Sequence, residues 1–388
     1  MSAHEPVTER LITVLEAEPR LKELLEKSIR AAGEENPDPR TNPVRSLEDY
    51  LRFIDRCSSS MPWDLLDGTG DDGIYDRIDQ GLNYFYFLND RPLAELDGHG
   101  LYNASVQYVR PYCDWLVEFA RGWGEYLSRP ETWGEEYLAL VRSDERFGLG
   151  KGWYESPDNW HSFNDFFSRR LSSPAARPIA AEGDDRIVCS PADSTPQGIW
   201  RIDHNNRIIC NGEKSVKSQN FASVYDLLGL NSQFRECFAG GSITHSFLDV
   251  HDYHRYHFPV SGRVLEVNVT DQECASGGLT RWDAQRRKYV LDSGLPDWQM
   301  SETRGCVIVE MEAGGLAALL PVGMSQVSSV NFGPDVRPGA RFRKGDELGW
   351  FLFGGSDFVM VFQQSEGFEL TARAGEHILM GREYGKLK

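Results

Sequence analysis

The chain has 388 residues, a length that suits two domains or one large one. Its 41 Lys and Arg stand against 59 Asp and Glu, a formal charge of -18, which argues against nucleic acid or an anionic membrane surface as the default partner. Apolar residues make up 40% and aromatics 12%, with a mean hydropathy of -0.46, which excludes a disordered chain and predicts a sizeable buried core.

No run approaches the roughly 18 apolar residues that a membrane-spanning helix needs. The N-terminus is acidic and lacks a basic-then-apolar signal pattern, so a cytoplasmic protein is expected. The seven cysteines (Cys57, Cys113, Cys189, Cys210, Cys237, Cys274, Cys306) include no CxxC pair. Buried thiols are expected rather than disulfides or structural zinc.

Leu11, Ile12, Val14, Leu15, Leu21, Leu24 and Leu25 recur at helical spacing and predict a helix over the first thirty residues. Glu34 to Pro43, rich in Pro and Asn, reads as a linker. Residues 45–145 are helical in pattern and aromatic, as in Tyr84 to Phe87 and Tyr102 to Trp123. Core packing accounts for most such rings, with a few left to line a pocket. The loop Phe147 to Trp153, FGLGKGW, lacks the spacing of a phosphate loop and follows no strand pattern, so it reads as a connection. These features divide the chain into a mostly helical accessory domain, 1–160, and a second domain, 161–388.

From about residue 185 short β-type runs alternate with Gly, Pro and Asp. They are RIVCS, GIWRI, RIIC, RVLEVNV, CVIVEM, LAALLPV, LGWFLF and DFVMVF. They predict a mostly antiparallel, β-rich unit of barrel or sandwich type, hence an α+β protein. Val224 to Gly229, VYDLLG, reads as a short helix.

Four of the nine histidines fall between His245 and His257. His251, His254 and His257 are spaced by three, but Pro259, Gly262 and nearby β-branched residues favour strand or loop, where such side chains diverge. No metal site is expected, and acid–base work is the better reading. Asp193 stands in the turn SPADSTPQG, and Ser356 follows Gly354 and Gly355 between two apolar β runs. Asp193, His257 and Ser356 supply the three groups of an activated serine. A serine hydrolase is one reading, although no GxSxG elbow is present. A second chemistry suits Gly-Gly-Ser better. Ser356 attacks the carbonyl of Gly355, β-elimination cuts the chain, and hydrolysis leaves a pyruvoyl group at residue 356 with loss of ammonia. Such a ketone serves as an electron sink.

At this point the sequence resembles the phosphatidylserine decarboxylase family of pyruvoyl enzymes. The matching pieces are FNDFFSRRL, RPI (Arg177 to Ile179), SPADS, VYDLLG, FLDVHDYHRYHFPVSGRV, LPVGM, KGDELGWF and FGGS, in family order from Ser162 onward. The resemblance implies cleavage between Gly355 and Ser356 into residues 1–355 and 356–388, a heterodimer of the chain's own pieces. It implies Asp193, His257 and Ser356 as the self-cleavage triad and His254 as the proton carrier in decarboxylation. It also implies a Schiff base between the substrate amine and the pyruvoyl ketone. Two positions depart from the pattern. Ser194 replaces a glycine, and Asp357 follows the serine, where it would put a carboxylate beside the pyruvoyl group. Arg121 to Trp133 and the region before Ser162 resemble the accessory part of a soluble branch that includes the L-tryptophan decarboxylase of psilocybin biosynthesis. That resemblance implies a free L-amino acid as substrate, aromatic ones such as tryptophan included. Phosphatidylserine is the alternative substrate and would bring a membrane partner. The oligomeric state is left open.

Overall fold

The computed structural model describes residues 4–66, 73–98, 104–209, 223–270, 278–292, 298–324, 329–364 and 367–388. Cys210, Cys274 and Tyr102 lie outside these residues. The helices Pro6–Ala17, Pro19–Glu35, Leu47–Ser58, Ile74–Asn89, Tyr112–Leu127, Glu135–Arg142 and Phe163–Phe167 come first, and Val224–Leu228 follows as predicted. The expected N-terminal helix is two helices, because Pro19 has no N–H to continue the ladder of the first. Ser46 and Ser162 cap their helices by accepting from the Asp49 and Asp165 amides.

All eight predicted β runs are strands. Eight strands form one antiparallel sheet, in spatial order 341–342, 262–270, 303–311, 316–324, 355–362, 242–248, 195–202, 208–209. The two end strands do not pair with each other, so the sheet is open rather than a closed barrel. The α+β class is as expected. The strand Ser242–Leu248 and the hairpin Leu279–Asp283/Lys288–Asp292 were not legible as runs.

Side chains on the two faces of the strand Gly355–Phe362 enter different cores. Phe358, Met360 and Phe362 join a core shared with the helical layer, whereas Val359 and Val361 join a second core with Ile243, Ile308 and Trp298. The aromatic stretch packs as expected: Tyr84, Phe85, Phe87, Trp115, Phe119 and Trp123 are buried in the first core.

Glu34 to Pro43 is not a free linker. The helix runs to Glu35, Asn42 Nδ2 donates to the carbonyls of Ala32 and Asn36, and Asn36 Nδ2 donates 2.7 Å to the Tyr289 hydroxyl. Gln80 then extends the hairpin edge: its Nε2 donates to Tyr289 O at 3.0 Å and its Oε1 accepts from Tyr289 N at 2.7 Å. The helix Ile74–Asn89 is thereby fixed against the hairpin.

Candidate active site

Ser356 lies at the start of its strand, paired with Leu248 on one side and Gly323 on the other. It is fully buried, and its Oγ has no hydrogen-bond partner among the described residues. An unpaired buried hydroxyl costs about 1–3 kcal/mol, so packing gives no reason for a serine here. Gly354 precedes it at φ +140°, which a side chain would strain. The residues fit a hydroxyl held dry for reaction behind a flexible glycine pair.

His254 is tied to the segment leading into that serine. Its carbonyl accepts from Phe351 N at 2.9 Å. Its ring stacks on Phe167, centroids 3.8 Å apart, and Phe353 packs edge-on to the same Phe167 at 5.2 Å. Nε2 lies 3.0 Å from the carbonyl of Asp249, which only accepts, so Nε2 carries the proton. Nδ1 is buried and without a partner among the described residues. Burial pushes the imidazole pKa well below its ordinary value, and the Arg169 charge adds to the shift. His254 is thus a neutral imidazole with a free lone pair. Arg169 also clamps the loop, donating to the carbonyls of His251 and Asp252 at 2.9 Å each.

His257 is held differently. Its Nδ1 donates to Gly345 O at 2.8 Å, and its Nε2 accepts from the Tyr253 hydroxyl at 3.0 Å. Burial lowers its pKa. Asp193 does not bond to it. That carboxylate takes Arg177 Nε at 2.8 Å, Arg177 Nη2 at 2.5 Å and Met380 N at 2.8 Å. The expected hydrogen-bonded relay from Asp193 through His257 to Ser356 is therefore not formed in this arrangement. The physical reason is that a guanidinium fork matches a carboxylate in two places, where an imidazole matches it in one. Arg177 belongs to the RPI piece noted in the sequence, but nothing there marked it as this partner. Both members of the pair are nearly inaccessible, at 1% and 2% exposure. The Arg177→Met variant leaves an uncompensated buried carboxylate and is expected to lose about 3–5 kcal/mol. Urea denaturation measures this, and a loss under 1 kcal/mol would show that the pair does not hold the turn.

The three histidines spaced by three do diverge. His251 packs edge-on to Tyr75 at 5.0 Å, His254 lies on Phe167, and His257 meets Tyr253. Asp357 corrects a second expectation. It points to the face opposite Ser356, because neighbours along a strand alternate. There it meets His245 Nδ1 at 2.7 Å, with Gln299 Nε2 3.3 Å from the same carboxylate oxygen. All three are buried. Its carboxyl group meets His245, away from the serine hydroxyl. The cluster was missed because His245 and Gln299 are remote in sequence and carry no motif.

A cavity of about 530 Å³ opens where the strand Ser242–Leu248 ends beside Ser356. Helix Ile74–Asn89 gives it Asp79 and Tyr86, the strand end gives Phe247 and Asp249, and the hairpin gives Lys288 and Tyr289. Asp79 accepts from Gln80 and Asn83 side chains at 2.8 and 2.9 Å. Burial, with the Asp249 charge added, pushes its carboxyl up to about 7. Among the described residues no helix is long and apolar enough to cross a membrane.

The family model for phosphatidylserine decarboxylase matches residues 163–386. A protein named decarboxylase iboD from Amanita muscaria is 29% identical over 285 residues, 66% of this chain and 79% of its own. The phosphatidylserine decarboxylase proenzyme of Chlamydia felis is 35% identical over 212 residues, 54% of this chain and 62% of its own. That of Fusobacterium nucleatum is 24% identical over 346 residues, 87% of this chain and 98% of its own. With Ser356, His254 and His257 all inside the matched span, the chain belongs to the phosphatidylserine decarboxylase family and is a carboxy-lyase.

Proposed function

We propose that the chain cuts itself between Gly355 and Ser356 and then decarboxylates a free L-amino acid at the new N-terminus of the 356–388 piece. The observation that carries the reading is the buried, unpartnered Ser356 hydroxyl behind Gly354. Its Oγ attacks the Gly355 carbonyl, and the amide becomes an ester. Elimination then breaks the Cβ–O bond and frees the Gly355 carboxylate. Water replaces the nitrogen of residue 356, which leaves as ammonia. His257 takes the Ser356 hydroxyl proton in the first attack once Nε2 is released by Tyr253, with the Asp193 charge favouring the imidazolium.

The pyruvoyl group so made supplies an electron sink for loss of carbon dioxide. The chain's own residues do the rest. The unbonded Nδ1 of neutral His254 takes a proton from the substrate ammonium and returns it to Cα. Phe167 holds that ring in place by stacking.

The cavity supports a small substrate. Its volume is in the range of small-ligand sites, and Tyr86, Phe247 and Tyr289 offer ring surfaces. The carboxyl groups of Asp79, Asp249 and Asp292 line it and disfavour a phosphodiester. Arg286 and Lys288 are the cations beside them. Phosphatidylserine is the second reading, favoured by the names of the bacterial relatives.

Mass measurement under denaturing conditions is expected to give residues 1–355 and 356–388, the smaller piece lighter than a serine-started peptide by one ammonia. Carbon dioxide release is then scored against an amino-acid panel and phosphatidylserine vesicles. Release from an aromatic amino acid alone supports the proposal. Release only from vesicles transfers it to the lipid reading, and an uncut active chain overturns the cleavage.

A further inference from the structure

We propose that His251, Asp252 and His377 form a binding site for one divalent transition-metal ion of the zinc type. Asp252 Oδ1 lies 2.7 Å from His377 Nε2 and 3.7 Å from His251 Nε2. One ligand atom from each of the three falls within 4.8 Å of the others. Tetrahedral bonds of about 2.0–2.1 Å to nitrogen and oxygen put ligand atoms roughly 3.3 Å apart, so an ion fits once the widest pair, within 4.8 Å, closes by up to about 1.5 Å. Two imidazoles and a carboxylate make a donor set suited to zinc or cobalt rather than calcium or magnesium.

The surroundings are those of a supported metal site rather than a lone ion pair. Neither nitrogen of His251 has a hydrogen-bond partner among the described residues, and its Nδ1 is buried. A packing histidine would satisfy that nitrogen. Instead Nδ1 lies 4.0 Å from the Asp249 carboxylate, outside hydrogen-bond reach, so an approach of under about 1.5 Å would let that carboxylate orient a ligating imidazole. Asp249 is itself fixed, accepting from the Tyr75 hydroxyl at 2.7 Å. The second oxygen of Asp252 accepts from Asp249 N at 2.8 Å, leaving Oδ1 toward the two rings. Asp252 is 3% exposed whereas the His377 side chain is 40% exposed, so an ion can enter from solvent and meet an anchored carboxylate.

An ion here would fasten the loop whose Asp249 carbonyl holds His254. Under the cleavage reading it would also tie residues 1–355 to 356–388, because His377 lies in the second piece. The site itself does not rest on that reading, since an uncut chain carries the same three residues.

The test is a titration of the chelator-treated full chain with Zn²⁺ by calorimetry and with Co²⁺ by visible absorption. One equivalent is expected, with Co²⁺ bands of the intensity of a four- or five-coordinate site. His251→Ala and His377→Ala are each expected to weaken binding by more than about tenfold, the lower bound for losing even a residue that only supports a ligand. His377 is partly exposed, so its variant is expected to keep the wild-type circular dichroism. Repeating the titration on an uncleaved Ser356→Ala chain separates the metal site from processing. No stoichiometric uptake by the unaltered chain, or uptake unchanged in the His251→Ala/His377→Ala double variant, overturns the proposal and leaves a histidine–aspartate ion pair.

Discussion

Replacing Ser356 by alanine is expected to leave one 44.0 kDa chain with no 356–388 piece and no decarboxylase activity. The fold is expected to be unharmed. The hydroxyl is buried without a partner among the described residues, so its removal discards an uncompensated desolvation cost instead of a bond. Thermal unfolding of Ser356→Ala against the uncleaved precursor should show equal or higher stability, by up to about 1 kcal/mol. Mass measurement reads the cleavage and carbon dioxide release reads the activity. A Ser356→Ala chain that still splits at this bond, or that stays whole and active, would end the self-processing reading.

The two histidines are expected to separate the two steps. His257→Ala is expected to block cleavage. His254→Ala is expected to cleave and then decarboxylate slower by about 10²–10⁴-fold, the span for losing a positioned acid–base group. Equal loss of both steps in both variants would refute the division. The pH dependence has a definite sign. Burial lowers the pKa of both imidazoles, so both are neutral in the folded chain at pH 7. Acid loss of the decarboxylation rate should then begin below pH 6.5, the ordinary histidine value, and His254→Ala should lose that limb. Stability follows the same direction. The folded state binds these protons less readily than the unfolded chain, so their contribution is full above pH 6.5 and falls as pH drops toward the folded values. The difference in denaturation midpoint between the unaltered chain and His254→Ala, taken at pH 7.5 and 5.5, isolates this contribution from Asp79 and His377, whose raised pKa values act in the opposite sense, and a difference that does not change with pH would contradict the assignment.

Local order was largely legible. Alternating runs such as RVLEVNV and DFVMVF carry the period of a strand whatever their neighbours are, and all eight runs are strands. The leucines from Leu11 to Leu25 carry the period of a helix, and the only error was to read through Pro19, whose missing N–H was plain in the sequence. Ser356 behind its two glycines was likewise visible, since a reactive hydroxyl and a permissive backbone are chemical facts about adjacent residues. The opposite facing of Asp357 was also available, because side chains alternate along any strand.

What the tertiary structure alone decided depends on contacts between distant parts of the chain. Open sheet against closed barrel is a matter of whether the strands 341–342 and 208–209 meet, and no local pattern carries that. Asp193 could serve a histidine or an arginine until the fold brought Arg177 to it and the two-point match won. His254 and His257 are the same residue type three positions apart. One is left with a bare nitrogen against Phe167 and the other with both nitrogens engaged, because Asp249, Tyr253 and Gly345 stand where the fold puts them. Residue type sets which protons a side chain can move, and packing sets which of its atoms remain free to move them.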